Sequence, residues 1–295
     1  MTVPPNLSQR GRLWFEALTG IPSGPRAGES ARDADLDAAR VGVIEGTPRS
    51  VLMADAALGG EVARFIAVVA DVNNRFPRAR GGEVGLDEAC ALARCVRDAI
   101  AGNRDRARRA IVAIVDVPSQ AYGWREELLG IHLACAAAAD AYASARLAGH
   151  PVIALLVGKA MSGAFLAHGY QANRILALDS PEVMAHAMGR QAAARVTRRN
   201  VAELQALGEK IAPMAYDIRS FASLGVLHRL IGGVNADAPG QADVARVQAE
   251  LLSAIADARA GATDLSVRLA SPAARQLRAA SIEVRRRLAE QWNAA

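Results

Sequence analysis

From residue 110 to residue 178 two hydrophobic rhythms alternate. Residues 110–117 (AIVAIVDV), 152–157 (VIALLV) and 174–178 are short apolar runs, the first two nearly unbroken, as in strands buried on both faces. Between them, residues 125–149 form a long Ala-rich helical stretch and 162–172 a shorter one. Residues 86–102 repeat at helical spacing, with Asp87 and Glu88 placed at the start to complement the helix dipole. Strand–helix–strand alternation predicts parallel crossover units, with ligands at the carboxyl ends of the strands. Residues 183–188 are a candidate further strand. Upstream, 41–47, 50–56 and 62–70 read as short strands separated by turn signals, including Gly59-Gly60, hence an antiparallel start to a sheet. Residues 73–85 are a polar, Gly-rich connection. After Gln191 the pattern is mostly helical, at 200–212, 215–224 and 242–260. An Arg-rich amphipathic stretch with an internal Pro272 fills 266–292.

This pattern divides the chain in three: an N-terminal segment, 1–40, with a flexible Pro-, Gly- and charge-rich loop at 22–39; a main α/β domain, 41–260; and an Arg-rich helical tail, 261–295. The 295 residues are 52% hydrophobic but only 4% aromatic, so the core must be built of Ala, Val, Leu and Ile. The net charge of +5 is carried by arginine, since Lys159 and Lys210 are the only lysines. No aromatic-interleaved basic patch accompanies it, so the charge does not indicate nucleic-acid binding. Cys90, Cys95 and Cys135 form no CxxC pair and are odd in number, which favours a reducing compartment over a disulfide framework. No apolar run reaches the roughly 20 residues of a membrane span. These features predict a soluble cytoplasmic protein. The five histidines lack ligand spacing, so no metal site is expected.

Two loops follow buried strands. The first runs Asp116-Val117-Pro118-Ser119-Gln120-Ala121-Tyr122-Gly123, followed by Glu126, Glu127 and Gly130; the second covers 158–164. The first turn of a helix has unpaired N–H donors, and small residues let a ligand oxygen approach them. Two such loops on neighbouring strands can make an anion or oxyanion site.

The loops also carry a family pattern. Residues 116–131 (DVPSQAYGWREELLGI) and 158–165 (GKAMSGAF) resemble the carboxyl-terminal half of biotin-dependent carboxyltransferases, in the crotonase superfamily. Ser119, Tyr122, Gly158, Met161, Ser162 and Phe165 depart from that pattern. A closer resemblance, over roughly residues 10–250, is to malonate decarboxylase gamma subunits, carried by RGRLWFEALTG, FPRARGGEVGL, IVDVPSQAYG, LAGHPVIALLVGKAMSGAFLAHGYQANR and PMAYDIR.

The resemblance implies a crotonase/Clp-like fold of repeated β-β-α units with a helical carboxyl-terminal region. It implies half of an active site, completed by a beta subunit, that decarboxylates a malonyl thioester on an acyl-carrier protein. An acyl-transferring alpha subunit is expected in the larger complex. No cofactor would bind this chain directly, the substrate being carried on the carrier's prosthetic group. Losing carbon dioxide leaves an enolate, which preorganised donors stabilise by roughly 3–4 kcal/mol each. On this reading the backbone amides of Gly163 and Ala164 form one donor set, and those around Tyr122 and Gly123 the other. Ser162 and His186 assist. Ser119, Gln120, Glu127, Lys159 and Met161 bind substrate. Candidate proton donors are Tyr122, Glu127, His168 and His186.

Two alternatives remain at this stage. Clp-type peptidases share the fold, and Ser162 and His186 have about the separation of their Ser–His pair, which would mean acyl or peptide hydrolysis. Alternatively the chain is a non-catalytic scaffold for its partner. In the tail, Arg275, Arg278, Arg285, Arg286 and Arg287 either steer an acidic carrier protein or form a solvated helix face with Glu283 and Glu290.

Overall fold

Apolar runs without a polar face need cover on both sides. A computed structural model, which describes residues 7–23, 46–102 and 108–293, supplies it. The elements in chain order are α1 (Arg10–Thr19), β1 (Val51–Leu58), β2 (Glu61–Val68), α2 (Leu86–Ala101), β3 (Ile111–Val117), α3 (Trp124–Leu128) and α4 (Ile131–Leu147). There follow β4 (Val152–Met161), α5 (Ser162–Ala167), β5 (Arg174–Leu178), β6 (Met184–His186), α6 (Arg190–Thr197), α7 (Val201–Gly208) and α8 (Ile218–Ser223). The last are β7 (Arg229–Ile231), α9 (Gln241–Ala260), α10 (Val267–Ala270), α11 (Pro272–Leu277) and α12 (Ala279–Asn293).

The strands form one sheet in the order β1-β2-β3-β4-β5-β7, with β6 beside the far end of β4. β1 and β2 make the expected antiparallel hairpin; every other pairing is parallel. All of β3 is buried, and all of β4 except Lys159. α1 and α9 pack on them together, and so do α4 and α5, while α2 lies against α4, β1 and β2. This is the expected mixed α/β fold with a mostly parallel sheet.

Several boundaries differ from the sequence pattern. The helix expected over 125–149 breaks at Gly130, which takes a left-handed φ of 84° and separates α3 from α4. The one expected over 162–172 stops at Ala167. β4 runs on past Val157, because Gly158-Lys159 is a bulge within the strand and not its end. β7 was not expected: three residues are too few to show a period. The strand expected at 41–47 and the loop at 22–39 lie mostly outside the described residues. Pro272 starts α11, where its missing N–H costs nothing, and the Ser271 hydroxyl caps Ala274 N at 3.1 Å. In α12, Arg286 and Arg287 pair with Glu283, and Arg286 also with Glu290. Among the described residues no helix is long and apolar enough to cross a membrane.

The N-terminal helix is a structural member of the core. Trp14, Phe15 and Leu18 are buried against the sheet, and the Trp14 indole N–H donates to Ala236 O at 3.0 Å. The left-handed Gly20 closes the helix, its N–H donating to Glu16 O at 2.8 Å. Arg10, 5% exposed, grips Asp237 with two hydrogen bonds of 2.6 and 2.8 Å. We expect Trp14→Ala to cost about 3–5 kcal/mol in chemical denaturation. A loss below 1 kcal/mol would mean that α1 is dispensable to the core.

Candidate active site

Beyond Leu156, β4 leaves β5 and pairs with β6, from Lys159–Met184 to Met161–His186. A gap opens there between the strand ends, the place where open α/β sheets bind ligands. It is a cleft of about 840 Å³. One wall is the loop after β3, with Ser119, Gln120 and Tyr122, continued by Glu127 of α3. Lys159, Met161, Ser162 and Gly163, from β4 and the start of α5, form the floor. The far wall, from Glu182 to Val196 with Tyr216, includes Arg190 and Arg195.

Eight of the expected site residues therefore come together: Ser119, Gln120, Tyr122, Glu127, Lys159, Met161, Ser162 and Gly163. Three do not line the cleft. Ala164 is fully buried. Gly123 caps α3, where a Cβ would lie 2.6 Å from Glu126 Oε2. His186 stacks its ring on Tyr216, centroids 3.9 Å apart, and its Nδ1 lies 2.9 Å from Met188 O. Burial, and secondarily the charge of Arg190, holds its pKa below the usual histidine value.

The first loop is rigid because it is stitched to a neighbouring segment. Val84 N donates to Ser119 O at 3.1 Å, and Ala121 N to Val84 O at 2.9 Å. From that base Gln120 reaches across, and its Oε1 accepts a 2.9 Å hydrogen bond from Gly163 N. A backbone N–H can only donate, so this bond fixes the carboxamide: oxygen toward Gly163, NH₂ left over. The expected oxyanion donor, the Gly163 amide, is thus engaged inside the chain. Among the described residues Gln120 Nε2 has no hydrogen-bond partner, so it is a donor available to the cleft.

Ser162 follows at the strand–helix junction with φ of 55°, a left-handed conformation that costs a non-glycine residue roughly 1–2 kcal/mol. Among the described residues no hydrogen bond joins Ser162 to His186, so the geometry lacks the contact a Ser–His nucleophile pair requires. Beside the cleft the surface is apolar: Trp124 is 85% exposed, Leu128 75% and Leu133 68%.

The far wall was missed in the sequence. Gly189 opens α6 directly after β6, so the small residue at a strand-to-helix passage that drew attention to 158–164 recurs there. Tyr216 was visible only inside the PMAYDIR resemblance. Its hydroxyl donates to Met188 O at 2.8 Å, and the Arg190 guanidinium lies 5.0 Å from its ring centre.

The family model for the malonate decarboxylase gamma subunit matches residues 79–292, a span that contains both loops and the far wall. The chain belongs to the malonate decarboxylase gamma subunit family. Two crystal structures of Pseudomonas malonate decarboxylase contain similar chains. In a hetero-tetramer in complex with coenzyme A the identity is 54%, with a TM-score of 0.84, over 96% of this chain and 99% of that one. In an MdcD-MdcE hetero-dimer the values are 53% and 0.81, over 97% and 100%. The malonyl-S-ACP:biotin-protein carboxyltransferase MADD of Malonomonas rubra is 36% identical over 168 residues, 56% of this chain. This chain spans 58% of the length of that relative. A transcarboxylase 12S chain, 20% identical with a TM-score of 0.53 over 72% of this chain, shares the fold.

In this gamma subunit His168 lies in the core and outside the cleft, although the sequence offered it as a proton donor. It is fully buried, with Nδ1 3.0 Å from Tyr142 Oη and Nε2 2.9 Å from Ile114 O. Neutral imidazole satisfies both, Nε2–H donating to the carbonyl and Nδ1 accepting from the phenol. Burial lowers its pKa to about 4, from 6.5. Between those values the unfolded chain binds a proton that the folded chain refuses. Stability therefore falls as pH drops from 6.5 toward 4, by about 3 kcal/mol at most. In His168→Gln that part of the decline should vanish from urea denaturation measured across this range. An unchanged slope would place the effect elsewhere.

Proposed function

We propose that this chain acts with a beta subunit to decarboxylate a malonyl thioester carried on an acyl-carrier protein. The products are the acetyl thioester and carbon dioxide. The C–C bond to the carboxylate breaks, its electron pair passes into the thioester as an enolate, and a proton then adds at carbon. What speeds this is charge stabilisation at the thioester oxygen, supplied by donors that need not reorganise. The observation that carries the reading is the Gln120–Gly163 hydrogen bond: it holds a neutral side-chain NH₂ rigidly in a cleft at the strand ends. Lys159 is the cation of the floor, facing an anion throughout, first the malonyl carboxylate and then the enolate. Arg190 and Arg195 add positive charge at the far wall. Tyr122 and Glu127 are the expected proton donors that line the cleft.

The half-site reading draws support from the open side of the cleft and the apolar surface of Trp124, Leu128 and Leu133 beside it. It draws further support from the Pseudomonas relative's pairing with MdcD. The carrier thioester is suggested by the Malonomonas relative's malonyl-S-ACP substrate. An alpha subunit for acyl transfer and a cytoplasmic setting complete the proposal.

Carbon dioxide release from a malonyl carrier-protein thioester tests it. We expect activity when the chain is paired with its beta subunit and none from the chain alone. Gln120→Glu keeps an acceptor for Gly163 N–H but removes the free donor, and should lower kcat by about 10²–10³. Full activity in Gln120→Glu would remove Gln120 from the oxyanion site. Activity of the lone chain would overturn the half-site reading.

A further inference from the structure

The floor of the cleft depends on a residue that does not line it. β3 and β4 pair in register up to Val115–Leu156 and resume at Val117–Ala160. Over that interval β3 advances two residues and β4 four. Val157, Gly158 and Lys159 therefore face Asp116 alone. An extra pair of residues bends a strand and re-aims its side chains. Here the bend coincides with the change of partner from β5 to β6, and it turns Lys159 toward the cleft.

The Asp116 side chain holds the bulge in place. The residue is 6% exposed, and its Oδ1 accepts Lys159 N–H at 3.1 Å. Its Oδ2 accepts Gly11 N–H at 3.2 Å and the Ser8 hydroxyl. One carboxylate thus ties the bulge to the N-terminal helix. Arg10 adds a second tie from the same helix, donating to Val157 O at 3.4 Å. Gly158 makes room: a Cβ there would lie 2.0 Å from Asp116 Oδ1. Hydrogen bonds to an ionised acceptor are roughly twice as strong as neutral ones, and this carboxylate receives three.

We propose that Asp116 is a positioning residue: its carboxylate fixes the β4 bulge, and through it sets the aim of Lys159 and the approach of α5 to Gln120. Asp116 touches no substrate; Lys159 is the group it places. The consequence for catalysis rests on the decarboxylation reading above, whereas the anchoring itself does not.

Two measurements on the chain assembled with its beta subunit decide the matter. The first uses the fact that Lys159 and Lys210 are the only lysines. ¹⁵N-lysine labelling of this chain gives two backbone amide signals, and Lys210→Arg assigns them. Asp116→Asn leaves one acceptor oxygen for three donors and removes the negative charge that polarises the Lys159 N–H, whichever way the carboxamide turns. The Lys159 amide signal should move upfield and exchange faster with solvent, while that of Lys210 stays in place. Should Asp116→Asn fail to fold, Ser8→Ala deletes one donor to the same carboxylate and should still move the Lys159 signal. A Lys159 signal that stays unmoved in the folded variants overturns the anchor.

The second is a double-mutant cycle on kcat/KM for carbon dioxide release. Misplacing a reacting group by about 1 Å costs about a hundredfold, so Asp116→Asn should lose activity on that scale. Lys159→Met should lose a similar factor, and the double variant little more than either alone. Simple multiplication of the two losses would mean that Asp116 acts on general stability and not through Lys159. Absence of decarboxylation in the unmodified complex would instead sink the functional reading, with the amide measurement still deciding the anchor.

Discussion

A carboxylate held by hydrogen bonds, with no ion-pair partner among the described residues, organises this molecule. Asp116 sits at the carboxyl end of β3, almost out of solvent, and is satisfied by two backbone N–H groups and one hydroxyl. Burying a charge is costly unless its hydrogen-bonding capacity is filled, so these donors hold their positions firmly. The donors come from α1, the residues just before it, and β4, segments more than a hundred residues apart in the chain. The interaction therefore closes the core and shapes the site together. Once Gly158 and Lys159 are bulged out opposite Asp116, β4 separates from β5, β6 takes its place, and a cleft opens between the strand ends.

The chemistry follows from the same economy of donors. The Gly163 amide is bound to Gln120, and the first loop is bound to Val84. What faces the cleft is a side-chain carboxamide whose oxygen is already spoken for. Such a donor is preorganised: it pays its orientational cost on folding and not during the reaction. The strained Ser162 backbone belongs to the same turn. Left-handed geometry at a bulkier residue persists only where surrounding structure enforces it, and here the bulge on one side and α5 on the other do so.

Legibility in the sequence varied with the range of the interaction. The strands β3, β4 and β5 announced themselves through apolar runs, and both loops through small residues after those runs. Eight of the site residues so found share one cleft. The three outside it are held there by local contacts. Ala164 has its whole surface packed, Gly123 is pressed between Glu126 and Arg78, and His186 is committed to Tyr216. The far wall escaped notice because it arrives from residues 182–196 and 216, with only a glycine before a helix to mark it. The break at Gly130 was hidden by the helix-forming residues on both sides, which carry no sign of a left-handed turn between them.

Sequence alone determined what is set by short-range pattern: a buried parallel sheet, the hairpin before it, the family, and the two loops that line the cleft. Hydrophobic periodicity and turn preference act within a few residues, and so can be read from them. Tertiary structure decided what depends on distant partners. It placed the N-terminal helix within the core, made Gly158-Lys159 a bulge and not a strand end, and joined the Gly163 amide to the Gln120 side chain. Each of these outcomes rests on a hydrogen bond or steric contact between residues 40 or more positions apart, as in Gln120 with Gly163 and Asp116 with Lys159 and Gly11. Only the folded chain brings such partners within 3 Å or so of each other.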